Sequence, residues 1–253
     1  MRKAREMGYA VMQHVLEDIA AEPLVRAFRS VPSLTDQDAG LQAKDAYGIL
    51  AKGLSQVDAA ALQRALRAEG IESHVVDEAE LPALPMAKAL KRAEPLAQAL
   101  VIYDALGRPQ QVDWSQVILV AAGNVNLRQF KREYTSKLVA RGQGVVLETD
   151  LEVQELRKLN LLAEVFLAVE PRRCRVVAKS VGYAYLGARR SNRSADNFVM
   201  FVQDLVRQAA SADINRGAEM LAGDPPTAMT YPSRYAFEEE IIWYLWARQN
   251  AGG

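Results

Sequence analysis

The segment AYGILAKGLSQVDAAALQRALRAEGIESHVV, residues 46–76, constrains the fold most. ILAKGL is a compact apolar run between glycines and predicts a strand. Ser55 then stands where a helix needs a side-chain cap. Ala59, Leu62, Ala65 and Leu66 make one apolar stripe, while Gln63, Arg64 and Arg67 fall on the opposite face. Gly70 ends the helix in the left-handed conformation that glycine adopts without penalty. IESHVV follows as a second strand. Strand, helix and strand with such short links predict a split βαβ unit.

Upstream, Leu24, Phe28 and Val31 follow Pro23 at helical spacing, and Pro32 stops that element. Thr35, with Asp36 and Asp38 behind it, caps a second helix through Ala46. Tyr9–Leu16 reads either as a strand buried on both faces or as a helix start. LPALP, Leu81–Pro85, fixes an extended linker. The division expected is a small α+β module over 1–80, a Pro-containing linker over 81–97, a β-rich domain over 98–209 and a helical extension over 210–253. A short helix is expected at MAKALKRA, belonging to either side of the boundary. The β-rich part predicts strands at ALVIYD, QQVDWSQVILVAAG, LLAEVFLAVE, CRVVAKSV and GYAYLGAR. Residues 126–141 and 150–160 are polar and predict helices. Ser194 and Asp196 open an amphipathic helix, residues 209–223 read as helical, and YAFEEEIIWYLWARQ closes the chain as a helix.

GLSQVDAAALQRALRAEGIESHVV, with its Gly-Leu-Ser entry and its Gly before the last strand, resembles the C-terminal domain of the bacterial ribosomal stalk protein. For residues 7–77 that resemblance implies a βααβαβ fold. Trp114, the later strands, the Tyr-Leu-Gly at 185–187 and the helix from Asp196 to Ala209 make residues 98–209 similar to a bacterial pleckstrin-homology-like domain. The resemblance implies a sheet closed by that helix, here with a helical insertion. The fold class expected for the whole chain is therefore α+β. Both resemblances concern fold, which by itself does not assign function.

The charge pattern carries the functional expectation. The chain holds 31 basic and 31 acidic residues, yet the segment 171–195 contains no carboxylate. It contains Arg172, Arg173, Arg175, Lys179, Arg189, Arg190 and Arg193, an expected anion site. Solvated turns are the plainer explanation of the same residues. The stretch 69–80 is the acidic counterpart, with Glu69, Glu72, Asp77, Glu78 and Glu80. In the closing helix, Phe237, Ile241, Trp243, Tyr244 and Trp246 form an aromatic stripe. It suits either a partner or the chain's own core.

Other chemistry is thinly represented. One cysteine, Cys174, forms no intramolecular disulfide, and with only His14 and His74 beside it a Cys/His zinc site lacks ligands. No GxSxG, phosphate-binding GxxxxGK[ST] or GxGxxG is present, so no cofactor or metal is expected. Cys174 lies between two arginines, which lower a thiol pKa where they reach it. No apolar run spans a bilayer, and the start MRKAREMGYAVMQ is a poor signal peptide, so a cytoplasmic location is expected. The leading expectation is a non-enzymatic binding or adaptor protein with an anionic or protein partner, self-association included. An enzyme assembled from distant residues and a nucleic-acid-binding protein are the alternatives.

Overall fold

A computed structural model describes residues 8–141, 144–170 and 172–251, without the side chains of 44–45, 127–141 and 144–158. Residues 1–7 at the start and Pro171, the first residue of the carboxylate-free segment, lie outside the described residues. The fold is α+β. The first elements are β1 (Tyr9–Gln13), α1 (Ala21–Phe28), α2 (Asp36–Asp45), β2 (Ile49–Leu54), α3 (Gln56–Ala68) and β3 (Ser73–Asp77). β1 lies between β2 and β3, antiparallel to both. Thr35 and Asp38 form a reciprocal capping box at α2. Ser55 accepts from the Asp58 amide at the start of α3. Gly70, at φ +80°, lets the Ile71 amide return to the Leu66 carbonyl at 2.9 Å.

Next come β4 (Lys88–Ala89), β5 (Ala93–Pro95), β6 (Leu100–Tyr103) and β7 (Pro109–Val112), then β8 (Val117–Arg141), β9 (Gly144–Leu167) and β10 (Arg173–Val177). α4 (Ser194–Gln208), β11 (Asp213–Ile214), α5 (Arg216–Ala222), β12 (Thr230–Tyr231) and α6 (Arg234–Asn250) complete the chain. β5, β6 and β7 form an antiparallel sheet of their own. The larger sheet runs β11-β8-β9-β10-β4, with β12 also on β8. Its pairings of β4, β11 and β12 are parallel.

Several local expectations are corrected. The helical insertion does not exist: residues 126–141 and 150–160 belong to β8 and β9, which pair continuously from Asn126↔Leu159 to Arg141↔Gly144. Helix propensity of polar residues is a weak prior. Two strands ending on either side of Gly142-Gln143 fix each other's register, and every residue then gains a partner opposite. Beyond Leu127 and Lys158 these strands pair only with each other among the described residues. At about 3.3 Å per residue they form an arm on the order of 50 Å long. The expected helix at MAKALKRA is instead an extended segment on the open edge of β10, where the Leu90 amide donates to the Arg175 carbonyl at 2.8 Å. GYAYLGAR is a 3-10 turn over Ala184–Arg189, not a strand. The helix expected over 209–223 is confined to α5, because Asp213 and Ile214 join the sheet edge.

α6 joins the six-stranded sheet to the β2-β1-β3 sheet. Phe237 and Ile241 pack on Leu119, Ala121, Leu162 and Phe166 of the large sheet. Trp243, Ile242 and Trp246 pack on Ala10, Met12, Ile49 and Val76 of the small one. Alternation along β1 places Val11 among α1–α3 and Ala10 and Met12 against α6, so this strand is buried on both faces. The Trp243 indole donates to the Gln13 carbonyl at 2.8 Å. On the far face of the large sheet, Phe198, Phe201, Val202 and Leu205 of α4 cover Val120, Ala163, Val165 and Val176. No described helix is long and apolar enough to cross a membrane.

A buried polar chain holds α5, β12 and α6 on β8. The Asn215 side-chain oxygen accepts from the Ala122 amide at 2.8 Å and the Ala218 amide at 2.9 Å. Its amide nitrogen donates to the Tyr231 hydroxyl at 2.8 Å, which donates to Glu240 at 2.8 Å. The approach is close: a Cβ at Gly217 would lie 1.9 Å from the Ala122 carbonyl oxygen. Gly40, within α2, has nothing within 4 Å of its Cβ position. Gly217→Ala is therefore expected to destabilise the chain by about 3 kcal/mol through overpacking. Gly40→Ala is expected to stabilise it by about 0.5–1 kcal/mol through helix propensity. Urea midpoints of the two variants against the parent check both signs.

Candidate functional site: a basic pocket at the start of α4

The seven cations of 171–195 separate into three groups. Arg173, 3 % exposed, donates to Glu164 at 2.7 Å, to Glu238 at 2.6 Å and to the Pro85 carbonyl at 3.2 Å. Arg175 stands opposite Glu164 across the β9–β10 pair and donates to its other oxygen at 2.6 Å. On the other face, Arg189 grips both oxygens of buried Asp204 at 3.1 and 2.7 Å, where Tyr185 and Arg207 also bind. Arg172 pairs with Glu170 at 3.2 Å and Arg193 with Asp196 at 3.7 Å, both in the open. Lys179 and Arg190 pair with no carboxylate among the described residues.

Those two side chains share one cavity of about 440 Å³. Lys179 is on the turn after β10, where the Ser180 amide returns to the Val177 carbonyl at 2.8 Å. Arg190 leaves the 3-10 turn, its amide held by the Gly187 carbonyl at 3.2 Å. Buried Asn197 fixes the next residue: the Ser191 amide donates to its oxygen at 2.7 Å, and its nitrogen donates to the Ser191 carbonyl at 2.8 Å. Asn192 and Ser194 add polar groups to the rim, buried Tyr183 lies beneath, and no carboxylate lines the cavity. α4 begins there, and its N-cap residue Arg193 gives no side-chain cap. Opening amides of a helix favour negative charge. Ser194 is legible in the sequence as a helix opener; Ser191, Asn192 and Asn197 carry no such signal.

The remaining candidates have other surroundings. Phe237, Ile241 and Trp243 are buried in the chain's own cores, with Tyr244 and Trp246 half-buried beside them. Cys174 is 0 % exposed, and burial pushes its thiol up to about 11, the reverse of activation by Arg173 and Arg175. His14 and His74 do meet, Nδ1 to Nε2 at 2.7 Å, and burial together with His14 lowers the His74 pKa. The described residues hold no cluster of three His, Cys, Asp or Glu suited to a metal. The acidic stretch engages elsewhere: Glu69 with Arg26 at 2.6 Å, Glu72 with Arg67 at 3.8 Å and Glu78 with the Gly53 amide.

A second cleft, of about 460 Å³, lies between β2 and the start of α6. Glu239 lines it, 3.9 Å from the Lys52 ammonium, with Tyr235 alongside. Burial raises the Glu239 pKa, opposed by the Tyr235 hydroxyl and by Lys52. The sequence offered only three consecutive glutamates here, without a sign that one faces a cleft.

Comparison of the chain with protein-family models, with curated proteins and with solved structures finds no match.

Removing one partner of a buried ion pair leaves an uncompensated charge. Arg173→Ala is therefore expected to cost about 3–5 kcal/mol, and Arg172→Ala, at an exposed pair, under about 0.5 kcal/mol. The Glu238 carboxyl is raised by burial, but hydrogen bonds from Arg173 and Arg234 outweigh this and hold it below its ordinary value. Its stabilisation is thus present above the unfolded carboxylate pKa of about 4.3 and is lost as pH falls through the lower folded value. Glu238→Gln is expected to flatten that acid limb in urea titrations across pH, leaving the limb above neutrality unchanged.

Proposed function

We propose that this chain is a binding protein for a small anionic group, received between Lys179 and Arg190. The observation that carries the reading is their isolation. Of seven cations in a carboxylate-free stretch, these two have no carboxylate partner among the described residues, and they line the same cavity. An unneutralised pair in a recess attracts a counter-ion from solution. Asn192 and the Ser194 hydroxyl offer hydrogen bonds to orient it. The pairing of the other arginines favours a compact anion over a nucleic-acid backbone, which draws on a run of phosphate contacts. The finer reading of the architecture is a βααβαβ module over 1–80 bound through α6 to a larger β-rich module. The pocket then belongs wholly to the larger one.

Inorganic phosphate, titrated calorimetrically and followed by 31P NMR, tests the reading. Binding is expected to weaken at least tenfold in Lys179→Glu/Arg190→Glu and to stay unchanged in Arg172→Glu, whose arginine is already paired. Equal binding by the double variant and the parent would sink the proposal.

One observation favours a second reading, an enzyme: the Lys52–Glu239–Tyr235 cleft holds a carboxyl suited to general acid work. Carbon NMR of the Glu239 carboxyl decides it. A titration in the ordinary carboxylate range, unmoved by Lys52→Met, removes the acid.

A further inference from the structure

We infer that the ligand of the basic pocket is an amphiphile, with an apolar chain attached to its anionic head. The inference rests on the reading of Lys179 and Arg190 as the head site. A second cavity, of about 310 Å³, adjoins the basic pocket and shares Ala178, Lys179 and Ser194 with it. Its further walls are Leu159, Leu161, Val177, Ala195 and Ala228, with the uncharged polar Asn124 and Asn160 beside them. Charge complementarity assigns the two compartments. Both cations line the head site, Lys179 stands at the junction, and no other charged side chain lines the slot.

The slot combines small and large apolar residues. Ala178, Ala195 and Ala228 leave width, while Leu159, Leu161 and Val177 supply contact area. Leu159 is 52 % exposed, a large apolar side chain left in water at the mouth of the arm. A chain extending from an anion beside Lys179 covers it. The slot equals about ten times a water molecule's share of liquid volume. A short alkyl chain fits that space and a folded polypeptide segment does not. Each methylene taken from water is worth about fourfold in affinity until the slot is full.

Soluble alkyl phosphates, kept below their micelle concentrations, provide the probe. Calorimetry with inorganic, ethyl, butyl, hexyl and octyl phosphate is expected to show affinity rising with chain length, at least thirtyfold from phosphate to hexyl phosphate, then levelling. Ala195→Phe or Ala228→Phe, each of which fills the slot from a lining position on a different element, is expected to return hexyl phosphate to the affinity of inorganic phosphate while leaving the latter unchanged. Ala228 is on an exposed loop, so its variant keeps the test open if the helix variant fails to fold. Phosphate binding without any dependence on chain length would overturn the amphiphile and leave the anion site standing. Failure of every probe, alkyl phosphates included, would overturn both. Flotation with vesicles of phosphatidic acid in phosphatidylcholine distinguishes the source. Binding abolished by Lys179→Glu/Arg190→Glu assigns a bilayer lipid, and absence of flotation alongside the chain-length series assigns a free amphiphile.

Discussion

A carboxylate with no access to water is costly unless cations replace its hydration, and Glu164, at 0 % exposure, meets two arginines. Arg173 and Arg175 approach its two oxygens separately. Arg173 then reaches Glu238 on α6 and the Pro85 carbonyl on the strap before β4. One buried charge thus fastens β9, β10, α6 and the strap together. Burial makes the arrangement demanding, since each group is costly without the others. That demand, more than the strength of any single contact, ties these four segments to one geometry.

The same network determines which cations remain for solution. The most deeply buried acids, Glu164, Asp204 and Glu240, each meet an arginine, and at the surface a cation is paired only where a carboxylate happens to fall nearby. Arg173, Arg175 and Arg189 face buried acids, whereas Lys179 and Arg190 emerge from consecutive turns on which no acid occurs. The pocket is what the interior network leaves unmatched.

Local signals made the first third of the fold legible. Thr35, Ser55 and Gly70 act over four or five residues, and they bound α2 and α3 where the sequence places them. The stripe of α4 is similarly local, and its aromatic residues do face a core. The β8–β9 arm was not legible, because its strand character comes from a partner strand and not from either stretch alone. Nor was the division of the arginines. The acids that neutralise them, Glu164, Asp204 and Glu238, are nine to sixty-five residues away in sequence. Seven similar side chains therefore looked equivalent. Lys179 and Arg190 differ from the others only through the turns that carry them.

Leu159 has a dual position. It closes the last rung, opposite Asn126, before the ribbon leaves the sheet, and it also forms a wall of the apolar slot. The root of the ribbon is therefore also the rim of a cavity. The direction in which the ribbon leaves the sheet and the shape of that wall are thus set by the same residue.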